Sequence, residues 1–150
     1  MRISVIIICF VFIWCIGTSA AAEPRAGFVK NVSGEAFIER NKVLTAAKVK
    51  DELMENDVLV TGRSGSMGVI LQDNSVMSIG PNTRLAISKF AFEPADEKLS
   101  FTAQIKKGTM VYLSGLIAKL NRSGVKFDTP TAVCGVRGTH FAIKVEEPGI

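Results

Sequence analysis

The sequence predicts an all-β fold: one domain of short antiparallel strands, arranged as a β-sandwich, a barrel or a β-solenoid, behind an N-terminal signal helix. Three observations carry this. From Ala26 onward, short apolar-alternating runs are interrupted by turn-forming residues roughly every ten positions. Residues 98–106 give the clearest run, with Leu99, Phe101, Ala103 and Ile105 alternating against Ser100, Thr102 and Gln104. Beyond residue 22 no stretch carries the apolar stripe of a long amphipathic helix.

The first 22 residues read as a secretory signal peptide. Arg2 supplies the positive start, residues 3–16 are apolar except for Ser4, and Ala20, Ala21 and Ala22 are the small residues a signal peptidase reads. The expected cleavage lies between Ala22 and Glu23, leaving a periplasmic or secreted protein without a membrane span; a retained N-terminal anchor is the alternative. Trp14 stands before Cys15 where a lipoprotein signal needs a small residue, which argues against lipidation. Cleavage removes Cys9 and Cys15 and leaves Cys134 alone, so no internal disulfide is expected. Cys134 is then either an intermolecular or reactive thiol or a small apolar filler beside Val133. Of the 18 basic residues only Arg2 is lost, so 17 face 14 acids and the net charge is +3.

The strands follow in order. Residues 27–32 form the first, closed by Ser33-Gly34; residues 35–40 form the second, turned by Asn41-Lys42. Residues 43–49 are ambiguous, and residues 51–56 (DELMEN) have the composition of a single helical turn without an apolar stripe. Residues 58–61, 69–71 and 75–79 are further strands, separated by glycines, Asp73-Asn74 and Gly80-Pro81-Asn82. In residues 84–92, Leu85 and Ile87 have one parity while Phe90 and Phe92 have the other. A bulge or bend near Ser88-Lys89 accounts for that slip. Lys107-Gly108 is expected to turn the 98–106 strand into a hairpin with residues 109–114. Residues 115–120 fit either strand or helix.

The chemistry-bearing residues point away from an enzyme. His140 is the sole histidine, and strand parity places it opposite Phe141, Ile143 and Val145, on the less buried face. One histidine and one remaining cysteine do not build a usual zinc set. Asp51, Glu52, Glu55 and Asp57 lack the glycine and ligand spacing of a calcium loop, and read as a solvated turn. Residues 62–66 (GRSGS) lack the Gly-Lys-Ser/Thr of a phosphate loop. The lysines are too sparse for a nucleic-acid stripe. No cofactor, metal or nucleic acid is expected.

Residues 125–145 hold the strongest local pattern. Val125 and Phe127 begin a strand that Asp128, Thr129 and Pro130 terminate, because proline has no N–H for a ladder. Gly135 and Gly138 bracket Val136 and Arg137, which predicts a crowded backbone corner. Thr139 and His140 then open a last alternating strand to Val145.

The run 129–141, Thr-Pro-Thr-Ala-x-x-Gly-Val-Arg-Gly-Thr-x-Phe, resembles the closing signature of the FecR domain, a bacterial envelope module found in iron-uptake signalling proteins and in many secreted proteins. Residues 27–40 resemble that family's first hairpin. Residues 56–62 (NDVLVTG) resemble its Gly-Asp-x-φ-x-Thr-Gly, where φ is apolar. Residues 71–79 resemble its Leu-x-Asp-Gly-Ser strand, residues 81–85 its Pro-x-Thr-x-Leu step, and Lys107-Gly108 its glycine-initiated strand. The resemblance thus covers residues 26–145. Asn56 and Asn74 replace family glycines, which makes sense where a turn needs left-handed backbone, a conformation asparagine tolerates. The family often continues into further strands or a receptor-interacting part and carries a cytoplasmic sigma-factor-holding region; by that analogy the sensory module is expected here without the signalling output.

The resemblance implies a non-enzymatic, exported binding or sensory module of the bacterial envelope, linked to signalling, with an envelope protein as partner and self-association as a further option. A structural or carbohydrate-associated envelope domain is the alternative. Thr129, Pro130, Gly135, Arg137, Gly138, Thr139 and His140 form the expected docking corner. Arg137 has two readings there: a contact to a partner carboxylate, or hydrogen bonds to carbonyls across its own turn.

Overall fold

The computed structural model describes residues 24–138 and 140–146. The order is β1 (Arg25–Ser33), β2 (Ala36–Arg40), β3 (Val43–Ala46), β4 (Glu52–Met54), β5 (Val58–Thr61), β6 (Ser66–Leu71), β7 (Val76–Ile79), β8 (Arg84–Glu93) and β9 (Lys98–Leu113). Helix α1 (Leu116–Leu120) follows, then β10 (Val125–Asp128), β11 (Val133–Gly135) and β12 (His140–Val145). The fold is all-β, as the sequence predicts.

The strands form one curled sheet that wraps around a single core. One wall runs β4-β1-β6-β7-β9-β12 and the other β3-β2-β5-β8-β9-β10-β11. Strand β9 belongs to both. Its first half pairs with β8 and β10, and its second half with β7 and β12. The pairings are antiparallel except β10, which lies parallel to β9. Inward residues such as Leu59, Leu85, Phe101 and Ile105 from one wall meet Val69, Met77, Met110 and Tyr112 from the other, all buried. Each large side chain removed from water here contributes about 1.5–3 kcal/mol. A chain of ring contacts, Phe90–Phe101–Tyr112–Phe127–Phe141, links β8, both halves of β9, β10 and β12 at centroid distances of 5.1–6.0 Å.

Several local readings hold. Asn56 and Asn74 have φ of 71° and 64°, the left-handed backbone expected where they replace glycine. Asn41 and Lys42, at φ 51° and 65°, make a two-residue turn of the primed kind that joins β2 to β3. The β8–β9 register shifts between Ile87 and Lys89, which accounts for the parity change.

Others are corrected. Residues 98–113 are one strand, not a hairpin. Gly108 (φ 101°) bends the chain without reversing it, because each half of β9 finds long-range partners on both sides. Strands β1 and β2 do not form a hairpin either; Ser33–Ala36 carries the chain from one wall to the other, where β1 pairs with β4 and β6, and β2 with β3 and β5. The DELMEN segment contributes strand β4, since pairing with β1 outweighs the weak helical preference of one short turn. Residues 43–46 are strand, and residues 116–120 are helix.

Where β9 changes walls, a small polar clip holds the bend. Thr83 Oγ1 accepts the Thr109 N–H at 3.0 Å, and Thr61 Oγ1 accepts the Thr83 N–H at 3.0 Å while donating to the Gly80 carbonyl at 2.6 Å. Both threonines are buried. A Cβ on Gly108 would sit 2.1 Å from Thr83 Oγ1 and 2.4 Å from its Cα. Glycine is thus required twice over, by φ and by space.

Two predictions follow from this packing. Gly108→Ala lowers the unfolding free energy by about 2–4 kcal/mol, whereas Gly135→Ala, with nothing within 4 Å of its Cβ position, changes it by under about 0.5 kcal/mol. Urea unfolding checks the pair, and equal effects would contradict the account of the bend. Second, Tyr112, the sole tyrosine, is fully buried, and among the described residues its hydroxyl makes no hydrogen bond of good geometry. Burial above all, with the nearby Asp73 charge adding to it, pushes its phenol up to about 12 against weaker opposing effects of Ser75 and the Gly115 backbone. The folded state therefore holds this proton to higher pH than the unfolded state. Its contribution is complete below pH ~10 and is lost as pH rises toward ~12. Ultraviolet titration of the phenolate should show a midpoint near 12; a midpoint near 10 would contradict the burial of Tyr112.

Candidate docking seam

Because the sheet curls without closing, its edge strands face each other in two places. At one, β12 pairs only with β9 and β11 only with β10 among the described residues. Between them lies a groove of about 510 Å³, with Thr129, Pro130, Thr131 and Cys134 on one side and residues 141–146 on the other. The alternation of β12 is as the sequence predicts. Phe141, Ile143 and Val145 turn inward and are half-buried, while His140, Ala142 and Lys144 are exposed. Phe141 is anchored by stacking on Phe127, at 5.7 Å and 24°. The groove floor is therefore apolar, and the outer side of β12 presents its backbone groups unpaired by any described strand.

The loop residues of the predicted corner fall as follows. Thr129 closes a tight turn: its N–H and hydroxyl both donate to the Ala132 carbonyl, at 2.8 and 3.0 Å, and its hydroxyl accepts the Ala132 N–H. This turn holds Pro130 and Thr131 at the groove. Val136 is buried and its N–H donates to the Val125 carbonyl at 3.1 Å, pinning the chain as it crosses between walls. The Gly138 carbonyl accepts a hydrogen bond from the Ser114 hydroxyl. The crowding expected at this corner is not found. Gly135 has no atom within 4 Å of a Cβ position, Gly138 only one, at 3.9 Å, and neither has positive φ. Arg137 is exposed and makes no hydrogen bond or ion pair among the described residues, which removes its expected role of bonding carbonyls across its own turn. Thr139, and the Ala22–Glu23 cleavage site, lie outside the described residues.

Cys134 is half-buried and faces the groove, packed against the core as the filler reading anticipates, whereas neighbouring Val133 is 70% exposed. Lys144 and Glu146 form an exposed ion pair at 2.6 Å that raises the lysine's pKa and lowers the glutamate's, each chiefly through the shared hydrogen bond. Among the described residues no group of three His, Cys, Asp or Glu side chains is placed to hold a metal, and no helix is long and apolar enough to cross a membrane.

The second seam, between β3 and β4, has a groove of about 480 Å³ but is latched. Arg40 pairs on its own wall with Asp57, just before β5, Nε and Nη2 donating to the two carboxylate oxygens at 2.7 Å each, and Nη2 also reaches across the seam to donate to the Glu52 carbonyl of β4 at 2.9 Å. The Asp57 side chain is 1% exposed and further accepts the Met54 N–H at 2.8 Å. This corrects the reading of residues 51–57 as a solvated acidic turn. Asp51 accepts the Lys48 N–H and Glu55 the Phe90 N–H, so these acids tie down backbone rather than water. Periodicity does not reveal the latch, because Arg40 and Asp57 are 17 residues apart. The hint available was Asp57's place in the Asn-Asp-x-φ-x-Thr-Gly run. The two seams therefore differ: a charge pair with a buried carboxylate locks one, and a ring stack supports the other.

Comparison with protein families matches residues 57–150 to the family described as FecR protein. The comparisons with curated proteins and with solved structures returned no match. The matched segment begins at Asp57 and runs through β5–β12, so it contains the open seam and one partner of the latch. Strands β1 and β2 precede it but pair with β6 and β5 inside it.

The latch gives a direct test. Arg40→Ala leaves a buried carboxylate with one backbone donor, and should cost about 2–3 kcal/mol in thermal or urea unfolding, the low end for a buried pair because Arg40 is half-exposed. Arg40→Lys, which lacks the two-pronged geometry, should recover only part of that. A loss below about 0.5 kcal/mol would show that the seam does not depend on this pair.

Proposed function

This chain belongs to the FecR protein family, and on that premise we propose that it is an exported, non-enzymatic binding module of the bacterial envelope, with a sensory role exercised through contact with another envelope protein. The observation that carries the reading is the open seam. Strand β12 has one side free of described strands, and the apolar groove beside it has room for alternate side chains of an added strand. Main-chain pairing along His140–Val145 supplies affinity, and the groove between Thr129 and Phe141 supplies selectivity. Arg137 is exposed in the segment that leads from β11 into β12, and its guanidinium is suited to a carboxylate on the partner. The N-terminal pattern ending at Ala22 supports export to the periplasm or beyond.

The seam is supported rigidly from behind, with Phe127 and Tyr112 under Phe141 and the threonine clip under β9. A rigid scaffold presenting one unpaired edge limits the entropy lost on binding.

A photo-crosslinking residue at Ala142, the exposed centre of β12, tests this in intact cells. The expected product is one envelope protein joined through an extended segment, and its yield should fall at least tenfold on Arg137→Glu. The same product from a probe at Leu44 on the opposite edge strand, or a product indifferent to Arg137, would defeat the reading.

A further inference from the structure

Strand β12 offers particular backbone groups to its free side, and their phase follows from the far side of β9. The Thr109 carbonyl accepts the Gly80 N–H at 2.9 Å, and the Thr109 N–H donates to Thr83 Oγ1 at 3.0 Å. Both groups therefore point toward β7 and the clip, away from β12. Backbone groups alternate sides along a strand, so those of Met110 and Tyr112 point toward β12. There Met110 is opposite Ile143 and Tyr112 opposite Phe141, which makes these the hydrogen-bonded pairs. The N–H and C=O of Ala142 and Lys144 then face the free side, where no described strand pairs with them.

The groove beside this edge is closed at one end. Strand β11 stops at Gly135 and β12 starts at His140, so the residues between them cross the seam from one flank to the other. The crossover is fixed on both flanks. Buried Val136 donates its N–H to the Val125 carbonyl on one wall, and the Gly138 carbonyl accepts the hydroxyl of Ser114, just after β9, on the other. From the crossover the groove runs past Phe141 and Ile143 to Val145 and Glu146. A strand laid along β12 between the flanks cannot continue through the crossover. It has to end there.

We infer that the segment docked in this groove is the free C-terminal tail of the partner protein, running antiparallel to β12; this rests on the docking role proposed above. Antiparallel addition brings a C-terminus to the closed end, whereas parallel addition brings an N-terminus. The crossover carries Arg137, which is exposed and makes no hydrogen bond or ion pair among the described residues. A guanidinium there complements a terminal carboxylate and opposes a terminal ammonium. Tail residues opposite Phe141 and Ile143 share their inward face, so alternate residues of the tail are apolar. The groove volume of about 510 Å³ is that of a small-ligand site, which suits a few residues and not a folded element.

Random heptapeptides displayed with a free C-terminus, and selected on the purified exported protein, supply the probe. Selected peptides are made as the acid and as the amide, and fluorescence anisotropy reads their affinities. Apolar residues should alternate in them, the acid should bind at least about tenfold more tightly than the amide, and Arg137→Ala should remove that difference. Ala142→Pro withdraws one free-side N–H and none from the β9 ladder, so it should weaken binding about tenfold with an unchanged urea midpoint. The acid–amide comparison needs no variant, and decides even where Ala142→Pro unfolds. Equal binding of acid and amide, still lost on Ala142→Pro, would overturn the C-terminal assignment and leave edge docking standing. Binding indifferent to Ala142→Pro in a folded variant would overturn the edge pairing and the tail assignment together. No selected peptide, or a self-complex that excludes them all, would also overturn the tail assignment; the crosslink from Ala142 in cells then decides the docking role by itself.

Discussion

Strand β9 has to leave one wall of the sheet and enter the other while keeping hydrogen-bonded neighbours along its length, and the bend at Gly108 is where it does so. The bend is a contact between backbone and side chain. Thr83 packs where a Cβ would be, its hydroxyl takes the N–H that the bend exposes, and Thr61 holds Thr83 in turn. This gives a physical meaning to two runs that look unrelated in the sequence. The Thr-Gly at positions 61–62 and the Pro-x-Thr at positions 81–83 are the two halves of one clip, brought together only by the curl. Without the bend the two walls would be separate sheets, and neither would have enough apolar area to bury alone.

From the curl come the edges. A sheet that wraps without closing has four free sides, and here they meet in pairs to make two seams. The chain treats them differently. Arg40 and Asp57 seal one with a charge pair whose acidic member is out of water, an arrangement that is costly to break and therefore holds position. The other is left with an apolar floor, a half-buried thiol and a strand whose outer side pairs with no described strand. Edge strands are usually blunted against unwanted pairing, and β12 is blunted only in part, by the exposed Lys144.

The curl also separates surfaces of different character. The free edge of β12 points along the sheet, and the groove opens between the walls. The buried ring chain, from Phe90 through Phe141, joins the edge to the rest of the core, so the edge is presented by packing and not by a flexible loop.

The sequence by itself determined what is local. Alternation located most strands, the Phe90 parity change located a bulge, and Asn56 and Asn74 marked left-handed turns, because side-chain direction and φ are set within a few residues. The inward face of β12 was legible for the same reason. The tertiary structure alone decided which strands meet. Gly108 reads equally as a hairpin turn or a bend, and only the partners waiting on each side of β9 choose the bend. Residues 51–57 read as a hydrated acidic turn until Arg40, 17 positions earlier, is placed over Asp57. Gly135 and Gly138 looked like a crowded corner, yet nothing lies within 4 Å of a Cβ on Gly135 and only the His140 carbonyl oxygen, at 3.9 Å, near one on Gly138. Long-range pairing and the burial of charge depend on atoms far away in the chain, and periodicity carries no record of them.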